Sequence, residues 1–248
     1  MSSMTGNSDP YLDPGTNVLK NLRGLTDPEL LQRFEARRTH RRIAESIDTP
    51  VAGKFDVAHL KAIHRYIFQD VYEWAGQFRT VNISKGGHLF GLAAFLEPAL
   101  QQILEKLAAG NYLVDLNAAS FAGRAAYFLG ELNAAHPFRE GNGRTQREFI
   151  REVGLQAGHY VDWRATTREE MTEASRLSHV SGDASLFARL LRASIAAARD
   201  TGERVLEDPR RPGGLPHYRN AMVFTPDISN RFRHRKFLHA TLSSSSTM

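Results

Sequence analysis

The stretch His136-Pro137-Phe138-Arg139-Glu140-Gly141-Asn142-Gly143-Arg144, followed by Arg147, connects two segments with helical periodicity. Apolar residues recur on one helix face in each segment: Phe121, Ala125, Phe128, Leu129 and Leu132 before it, and Phe149, Ile150 and Val153 after it. Proline disfavours the helical conformation of the preceding residue and cannot donate inside a helix, so the first helix is predicted to end at His136. The stretch is therefore predicted to join two helices through a short loop.

The loop has the composition of an anion-binding site. Gly141 and Gly143 allow backbone angles that side chains forbid, so consecutive N–H groups can point inward, and Asn142 can add its side-chain amide. The second helix is predicted to start near Gly143 or Arg144, which directs its N-terminal dipole at the same loop. Phosphate is the anion that this arrangement favours.

The charged residues of the stretch extend this interpretation to a polyphosphate. Arg144 and Arg147 share a helix face, and a guanidinium binds phosphate oxygens in a bidentate manner. The carboxylate of Glu140 would repel phosphates unless a divalent cation lay between them, which indicates Mg²⁺. His136, with an ordinary pKa of ~6.5, suits a general base at neutral pH. Phe138 is interpreted as an apolar plug that fixes the loop.

An ordinary helix–loop–helix turn is the alternative, with a packed core histidine and solvated arginines. Base rates favour that alternative for any one of these residues taken singly. The fixed letters H-P-F-x-x-G-N-G-R, however, would match by chance at ~10⁻⁹ per position under equal residue usage. The combination therefore favours a nucleotide-binding enzyme.

The stretch resembles the signature of the Fic family, and the resemblance extends over the chain up to about residue 195. Further segments that resemble the family are Asp9-Pro10-Tyr11, Pro14-Gly15-Thr16-Asn17, Trp74-Ala75-Gly76, Arg79, Asp162-Trp163 and Gly182-Asp183. The implied fold is mainly α, a helical bundle with a small β-hairpin flap over the active site.

The resemblance also implies an activity, the transfer of AMP from ATP to a hydroxyl of a target protein with release of pyrophosphate. By this resemblance, His136 would deprotonate the hydroxyl and Glu140 would hold Mg²⁺ between the α- and β-phosphates. Asn142 and the loop amides, including those of Gly141 and Gly143, would hold the α-phosphate. Arg144 and Arg147 would hold the β- and γ-phosphates.

Two other functions remain open at this stage. The Doc branch of the family, which phosphorylates its target, resembles a variant with alanine and lysine at the two glycine positions, so Gly141 and Gly143 favour AMP transfer. Some relatives use other nucleotides. Outside enzymes, the chain would be a helical module that binds a nucleotide or a protein without catalysis.

The flap is predicted within residues 82–91, where glycines suit a hairpin tip. Val81, just before this range, and Ile83 suit strands. In the family this edge docks the target segment by strand addition. The candidate contacts are Lys85 with the nucleotide, and Ile83, Leu89 and Phe90 with the target. The alternative is an ordinary surface loop with Leu89 and Phe90 in the core.

Regulation is also implied by the resemblance. Similar Fic enzymes are inhibited by a helix carrying Ser or Thr, three residues, Glu, then Gly or Asn, whose glutamate pairs with the second motif arginine, here Arg147. The only glutamate of this chain that precedes Gly or Asn is Glu140, and His136 stands four positions before it. We therefore expect a separate small antitoxin, and the resemblance suggests subunits of type II topoisomerases as targets.

Other helices are predicted from Pro28, after an Asp27 cap, around residues 57–68, within 92–110 with a late start or kink at Pro98, and over 167–178 and 183–199. His64, on an apolar helix face, is interpreted as a packed core histidine. The predicted organisation is a catalytic domain over residues 1–198, with its core at about 55–195, and a poorly ordered basic tail over 199–248.

Composition limits the partners and the cellular location that can be expected for the chain. Nine Lys and Arg against five Asp and Glu give residues 199–248 a charge of +4, of the net +5 of the 248-residue chain. The basic character therefore lies in the tail, and no direct contact with nucleic acid is expected. No apolar run has membrane-spanning length, so no membrane partner is expected. The absence of cysteine suits a reducing compartment, and a cytoplasmic location is expected.

Overall fold

A computed structural model of the chain describes the backbone of residues 9–206 and the side chains of residues 9–196. The described part is mainly helical, which confirms the predicted fold class. Its helices are α1 (Pro28–Asp48), α2 (Val57–Phe68), α3 (Leu96–Ala109), α4 (Ala118–Ala135), α5 (Asn142–Gln156), α6 (Arg168–Ser181) and α7 (Ser185–Leu206). Short 3₁₀ turns cover Ala93–Phe95, Asn111–Leu113 and Trp163–Ala165.

Helix α4 lies at the centre of the bundle and packs against α3, α5, α6 and α7. Its predicted apolar face is buried, with Phe121, Ala125 and Leu132 fully inaccessible to solvent. Phe149, Ile150 and Val153 of α5 are buried in the same core. The core therefore fixes the two helices that flank the motif, and these helices hold the ends of the loop between them.

Local signals set the ends of the helices. The Asp27 carboxylate accepts from the N–H groups of Glu29 and Leu30, with Pro28 at the first helical position of α1. Thr167 and Glu170 form a capping box at the start of α6. Pro98 lies in the first turn of α3, which agrees with the late start predicted there.

The flap is a two-stranded antiparallel hairpin of β1 (Ser84–Lys85) and β2 (His88–Leu89). Its tip is Gly86-Gly87, with φ of +59° and +81°, the backbone that a two-residue hairpin turn requires. The strands begin after Val81 and Ile83, later than predicted. The Phe90 N–H nevertheless donates to the Ile83 carbonyl at 3.1 Å and extends the pairing by one step.

Helix α7 runs to Leu206 and so passes the boundary predicted at residue 198. The rest of the predicted tail, residues 207–248, lies outside the described residues. Within residues 9–206, no helix is long and apolar enough to cross a membrane.

Candidate active site

His136 ends helix α4 in the left-handed conformation, with φ of +47°. Its N–H donates to the Leu132 carbonyl at 3.0 Å, as the helix requires. Its ring Nδ1 lies 3.2 Å from the Asn133 carbonyl oxygen, which can only accept a hydrogen bond. Nδ1 therefore carries the proton, and Nε2 keeps a lone pair that can accept one.

The surroundings of His136 keep its ring neutral. Burial, followed by the nearby positive charge of Arg79, lowers the pKa of His136 to about 4. Phe90 stacks on the ring with centroids 4.0 Å apart, and His179 of α6 stacks on Phe90 at 4.2 Å. The imidazole is thus a neutral base at pH 7, held flat against the base of the flap.

Arg79 connects the catalytic loop to the flap. Its side chain is only 2% exposed, and it donates to the carbonyls of His136 at 2.9 Å, Val81 at 2.7 Å and Gly91. The Arg79 N–H also donates to the Pro137 carbonyl at 2.9 Å. In the sequence, Arg79 stands out only as part of the family resemblance. A buried cation surrounded by carbonyls was not predictable from its local sequence.

Phe138 fills the space beneath the loop, as predicted. It is 1% exposed and stacks on His64 with centroids 3.8 Å apart. His64 is the packed core histidine that was predicted, because its Nδ1 accepts from the Gly76 N–H at 2.8 Å and its Nε2 donates to the Glu140 carbonyl at 3.1 Å. The motif loop therefore rests on a layer of buried rings.

The two glycines of the motif differ in their backbone requirement. Gly141 has φ of +81°, and a Cβ there would lie 2.1 Å from a ring carbon of Phe68. Gly143 lies inside α5, which begins at Asn142, and has no positive φ. The expectation that both glycines adopt angles forbidden to side chains is therefore wrong for Gly143, where a Cβ would meet only Arg147 Nη1 at 3.4 Å.

Asn142 has a different role from the one predicted for its side chain. Its Oδ1 accepts from the Phe138 N–H at 2.8 Å, and its Nδ2 donates to the Phe138 carbonyl at 2.6 Å. The side chain is 3% exposed, so it closes the loop and is not directed at an anion. Asn142 can still present its backbone N–H, because the first N–H groups of a helix have no acceptor within that helix.

Glu140 is the acidic group of the site. Its side chain is 43% exposed, and its Oε1 accepts from the Gly141 N–H at 2.8 Å and lies 3.4 Å from Arg144 Nη2. Among the described residues, no cluster of three or more His, Asp or Glu side chains could enclose a metal ion. Mg²⁺ is commonly held by one or two carboxylates together with substrate phosphates and water, and an exposed single carboxylate beside a phosphate site fits that coordination.

The two arginines of α5 differ in their partners. Arg144 donates to Glu35 of α1 at 2.6 Å and to the Thr39 hydroxyl at 3.1 Å. Arg147 is only partly exposed, and burial, together with repulsion from Arg144, lowers its pKa to about 10. No carboxylate among the described side chains contributes to that pKa, so Arg147 is a cation without a counterion in this part of the chain.

The candidate flap residues occupy three different environments. Lys85 is exposed, and its charge contributes to lowering the pKa of His136. Leu89 is 54% exposed and Ile83 is partly exposed, so both can reach a docked segment. Phe90 is 7% exposed because it lies between two imidazoles. Its assignment as a target contact is therefore corrected to a packing contact of His136.

Taken together, the geometry combines a neutral imidazole with a site for a polyanion. The first N–H groups of α5 have no acceptor within that helix, and Arg147 adds a positive charge that has no counterion among the described side chains. Glu140 provides an exposed carboxylate at the edge of the same loop. Such a site can hold a polyphosphate beside a group that accepts a proton, which is the arrangement needed for transfer of a phosphorus-containing group to a hydroxyl.

Comparison with known proteins identifies the family. The chain matches the Fic/DOC family over residues 54–153. It is 35% identical over 193 residues to the probable protein adenylyltransferase Fic of Salmonella typhimurium, covering 78% of this chain and 95% of that protein. The chain therefore belongs to the Fic/DOC family.

Two further relatives carry information about activity and ligand. The protein adenylyltransferase VbhT of Bartonella schoenbuchensis is 44% identical over 195 residues, which are 79% of this chain and 41% of VbhT. The chain thus spans less than half the length of that relative. The crystal structure of BepC of Bartonella tribocorum with bound AMPPNP superposes with a TM-score of 0.71 at 30% identity, covering 74% of this chain and 95% of that one.

Proposed function

We propose that this chain transfers AMP from ATP to a hydroxyl side chain of a target protein. The observation that carries the proposal is the neutral imidazole of His136, whose Nε2 lone pair is available next to the anion-binding loop. The relatives named protein adenylyltransferase support the activity. The AMPPNP bound to BepC supports ATP as the substrate.

In the proposed reaction, Nε2 of His136 takes the proton of the target hydroxyl while its oxygen attacks the α-phosphorus. The bond from the α-phosphorus to the bridging oxygen breaks, and pyrophosphate leaves. The backbone N–H groups of residues 142 and 143, joined by that of Gly141 when Glu140 releases it, would hold the α-phosphate. Arg144 and Arg147 would hold the β- and γ-phosphates. Lys85 of the flap, whose charge acts on His136, would contact the nucleotide from the flap side.

Glu140 would hold Mg²⁺, which would supply neutralisation of the phosphate charge. The exposure of the carboxylate supports this assignment, as does its weak 3.4 Å contact with Arg144, which it can give up. Ile83 and Leu89 would contact the target segment as it pairs with the flap.

The test uses ATP labelled at the α- or the γ-phosphate, incubated with the chain, Mg²⁺ and a bacterial lysate. We expect label from the α-position alone on a protein band, and none with His136→Ala. Label from the γ-position alone would overturn the proposal in favour of a Doc-like kinase. Binding of ATP without any labelling would indicate the non-catalytic module.

We further propose that the chain is the toxin of a toxin–antitoxin pair that acts in the cytoplasm, with its catalytic domain in residues 1–198. The charge of Arg147, which meets no carboxylate within residues 9–196, supports a separate small antitoxin whose glutamate pairs with it. Subunits of type II topoisomerases are the proposed targets. Mass spectrometry of lysate proteins after incubation with the chain and ATP would identify the acceptor. The antitoxin proposal would be contradicted if the complex of this chain with a neighbouring small protein were as active as the chain alone.

A further inference from the structure

Helix α1 contacts the site from outside the matched family segment of residues 54–153. Glu35 and Thr39 lie one helical turn apart on the face of α1 that meets α5. Thr39 is 2% exposed and the Glu35 side chain 13% exposed, so both are placed inside the protein although both are polar. Their shared partner there is Arg144.

The contacts with α1 hold the guanidinium of Arg144 through its two terminal nitrogens, Nη1 and Nη2. Nη2 of Arg144 donates to Glu35 Oε1 at 2.6 Å, and Nη1 donates to Thr39 Oγ1 at 3.1 Å. The Thr39 hydroxyl in turn donates to the Glu35 backbone carbonyl at 2.9 Å, so its lone pair is directed at the arginine. The ring of Phe68 supports the guanidinium from one face, with its centroid 4.7 Å from Cζ.

Glu35 is itself fixed by Tyr72, whose hydroxyl donates to its second carboxylate oxygen. Tyr72 is 2% exposed, and burial together with the negative charge of Glu35 raises its pKa, so it remains a donor at neutral pH. The carboxylate is therefore held from both sides and cannot follow Arg144 if the arginine rotates.

Arg144 keeps donor capacity beyond its contacts with α1, and Nη2 also faces Glu140 of the loop. A guanidinium has five N–H bonds, and the end-on contacts with α1 use one on Nη1 and one on Nη2. The second hydrogen of Nη2 reaches Glu140 at only 3.4 Å, and no described hydrogen bond uses Nε. Once Glu140 moves to a cation, Nε and Nη2 form a side-on pair that can bind one phosphate in a bidentate manner.

We propose that Glu35, with Thr39, is a positioning residue that orients Arg144 for the terminal phosphates of ATP. The assignment rests on the proposed function. Without Glu35, the long side chain of Arg144 loses its fixed orientation and must be ordered when the nucleotide binds, which weakens binding. The opposite expectation follows if Glu35 merely competes with the phosphates, since its removal would then strengthen binding.

The test measures ATP and AMP binding by calorimetry with Mg²⁺, using the full chain with His136→Ala to prevent turnover. In this background, Glu35→Ala should raise the dissociation constant of ATP about fivefold, the cost of ordering one long side chain on binding. AMP lacks the β- and γ-phosphates, so its affinity should not change. Glu29→Ala, an exposed acidic position on the same helix, is the matched control and should leave ATP affinity unchanged.

A second genetic background, Arg144→Ala, distinguishes a positioning role of Glu35 from a purely structural one. When Arg144→Ala is already present, Glu35→Ala should have no further effect on ATP affinity. Equal weakening of ATP and AMP, or weakening that persists without Arg144, would overturn the assignment, and so would tighter ATP binding. Glu35→Gln, which keeps the side-chain shape, should show a smaller loss of ATP affinity and covers the case in which Glu35→Ala fails to fold.

The outcomes also distinguish this assignment from the proposed function. ATP binding that depends on Arg144 but not on Glu35 would overturn the assignment alone. If the chain with intact Glu35 bound no ATP, the proposed function would fail and the assignment with it.

Discussion

At the residue scale, the pKa of His136 sets the acid limit of the proposed reaction. Only the neutral ring accepts a proton, and burial lowers its pKa to about 4, below the ordinary ~6.5. We therefore expect kcat at saturating ATP to be flat from pH 8 to about 5 and to fall below that. A pH–rate profile with α-labelled ATP measures this, and a half-fall near pH 6.5 would contradict it.

Gly141 and Gly143 provide a matched pair at the same scale. Gly141→Ala places a Cβ at positive φ and 2.1 Å from Phe68, so we expect the free energy of unfolding to fall by about 2–4 kcal/mol. Gly143→Ala lies in a helix with its closest contact at 3.4 Å, so its effect should stay within about 1 kcal/mol. Urea denaturation measures both, and similar losses would contradict the geometry.

At the scale of elements, Arg79 makes the flap and the catalytic loop one unit. The three donors of a lysine ammonium lie at one point and cannot reach all the carbonyls that the broader guanidinium contacts, so Arg79→Lys leaves buried carbonyls without partners. We expect AMP transfer to fall at least tenfold, from a loss of about 1.4 kcal/mol or more. Protease cleavage at Gly86-Gly87 should become faster as well.

The control for Arg79 is Arg33→Lys on the exposed side of α1, where the side chain is 63% exposed. It should change neither the rate of AMP transfer nor cleavage at the flap. Unchanged activity in Arg79→Lys, with a normal melting temperature, would show that the flap is positioned without this residue.

At the scale of the whole molecule, buried histidines make stability depend on pH. Burial lowers the pKa of His64 to about 3, whereas in the unfolded chain it returns toward ~6.5. Between those values the unfolded state binds more protons, so stability rises with pH and is lost as pH falls below about 6.5. Denaturation at pH 7, 6 and 5 should show this slope, reduced in His64→Gln, and an unchanged slope in that variant would contradict it.

The sequence was sufficient for features that depend on neighbouring residues. The cap at Asp27, the end of α4 at His136 and the glycine tip of the flap are local signals, and the structure has each of them. The end of α7 was less predictable, because the helix continues to Leu206 through a polar, charged segment.

Features that depend on distant contacts were not predictable. Arg79 and His136 are 57 positions apart in the sequence, and Glu35 and Arg144 are 109 apart. A single sequence does not show which residues come into contact at such separations. From the sequence, Asn142 was predicted to bind phosphate and Phe90 to contact the target. Their actual partners, Phe138 and His136, are visible only in the structure. The catalytic and binding roles of the motif remain predictions until the labelling experiments are done.

The guanidinium of Arg147, without a counterion in the described part of the chain, couples ligand occupancy to folding. Two like charges held close together on α5 repel each other in the folded chain, and that repulsion is relieved when an anion binds between them. Any occupant, whether nucleotide or a carboxylate of another protein, then shifts the folding equilibrium by RT ln(1 + [L]/Kd), about 2.7 kcal/mol at a hundredfold excess over Kd. An inhibitor bound there would therefore stabilise the folded state. Its removal would release a chain that is active but less stable, and so shorter-lived.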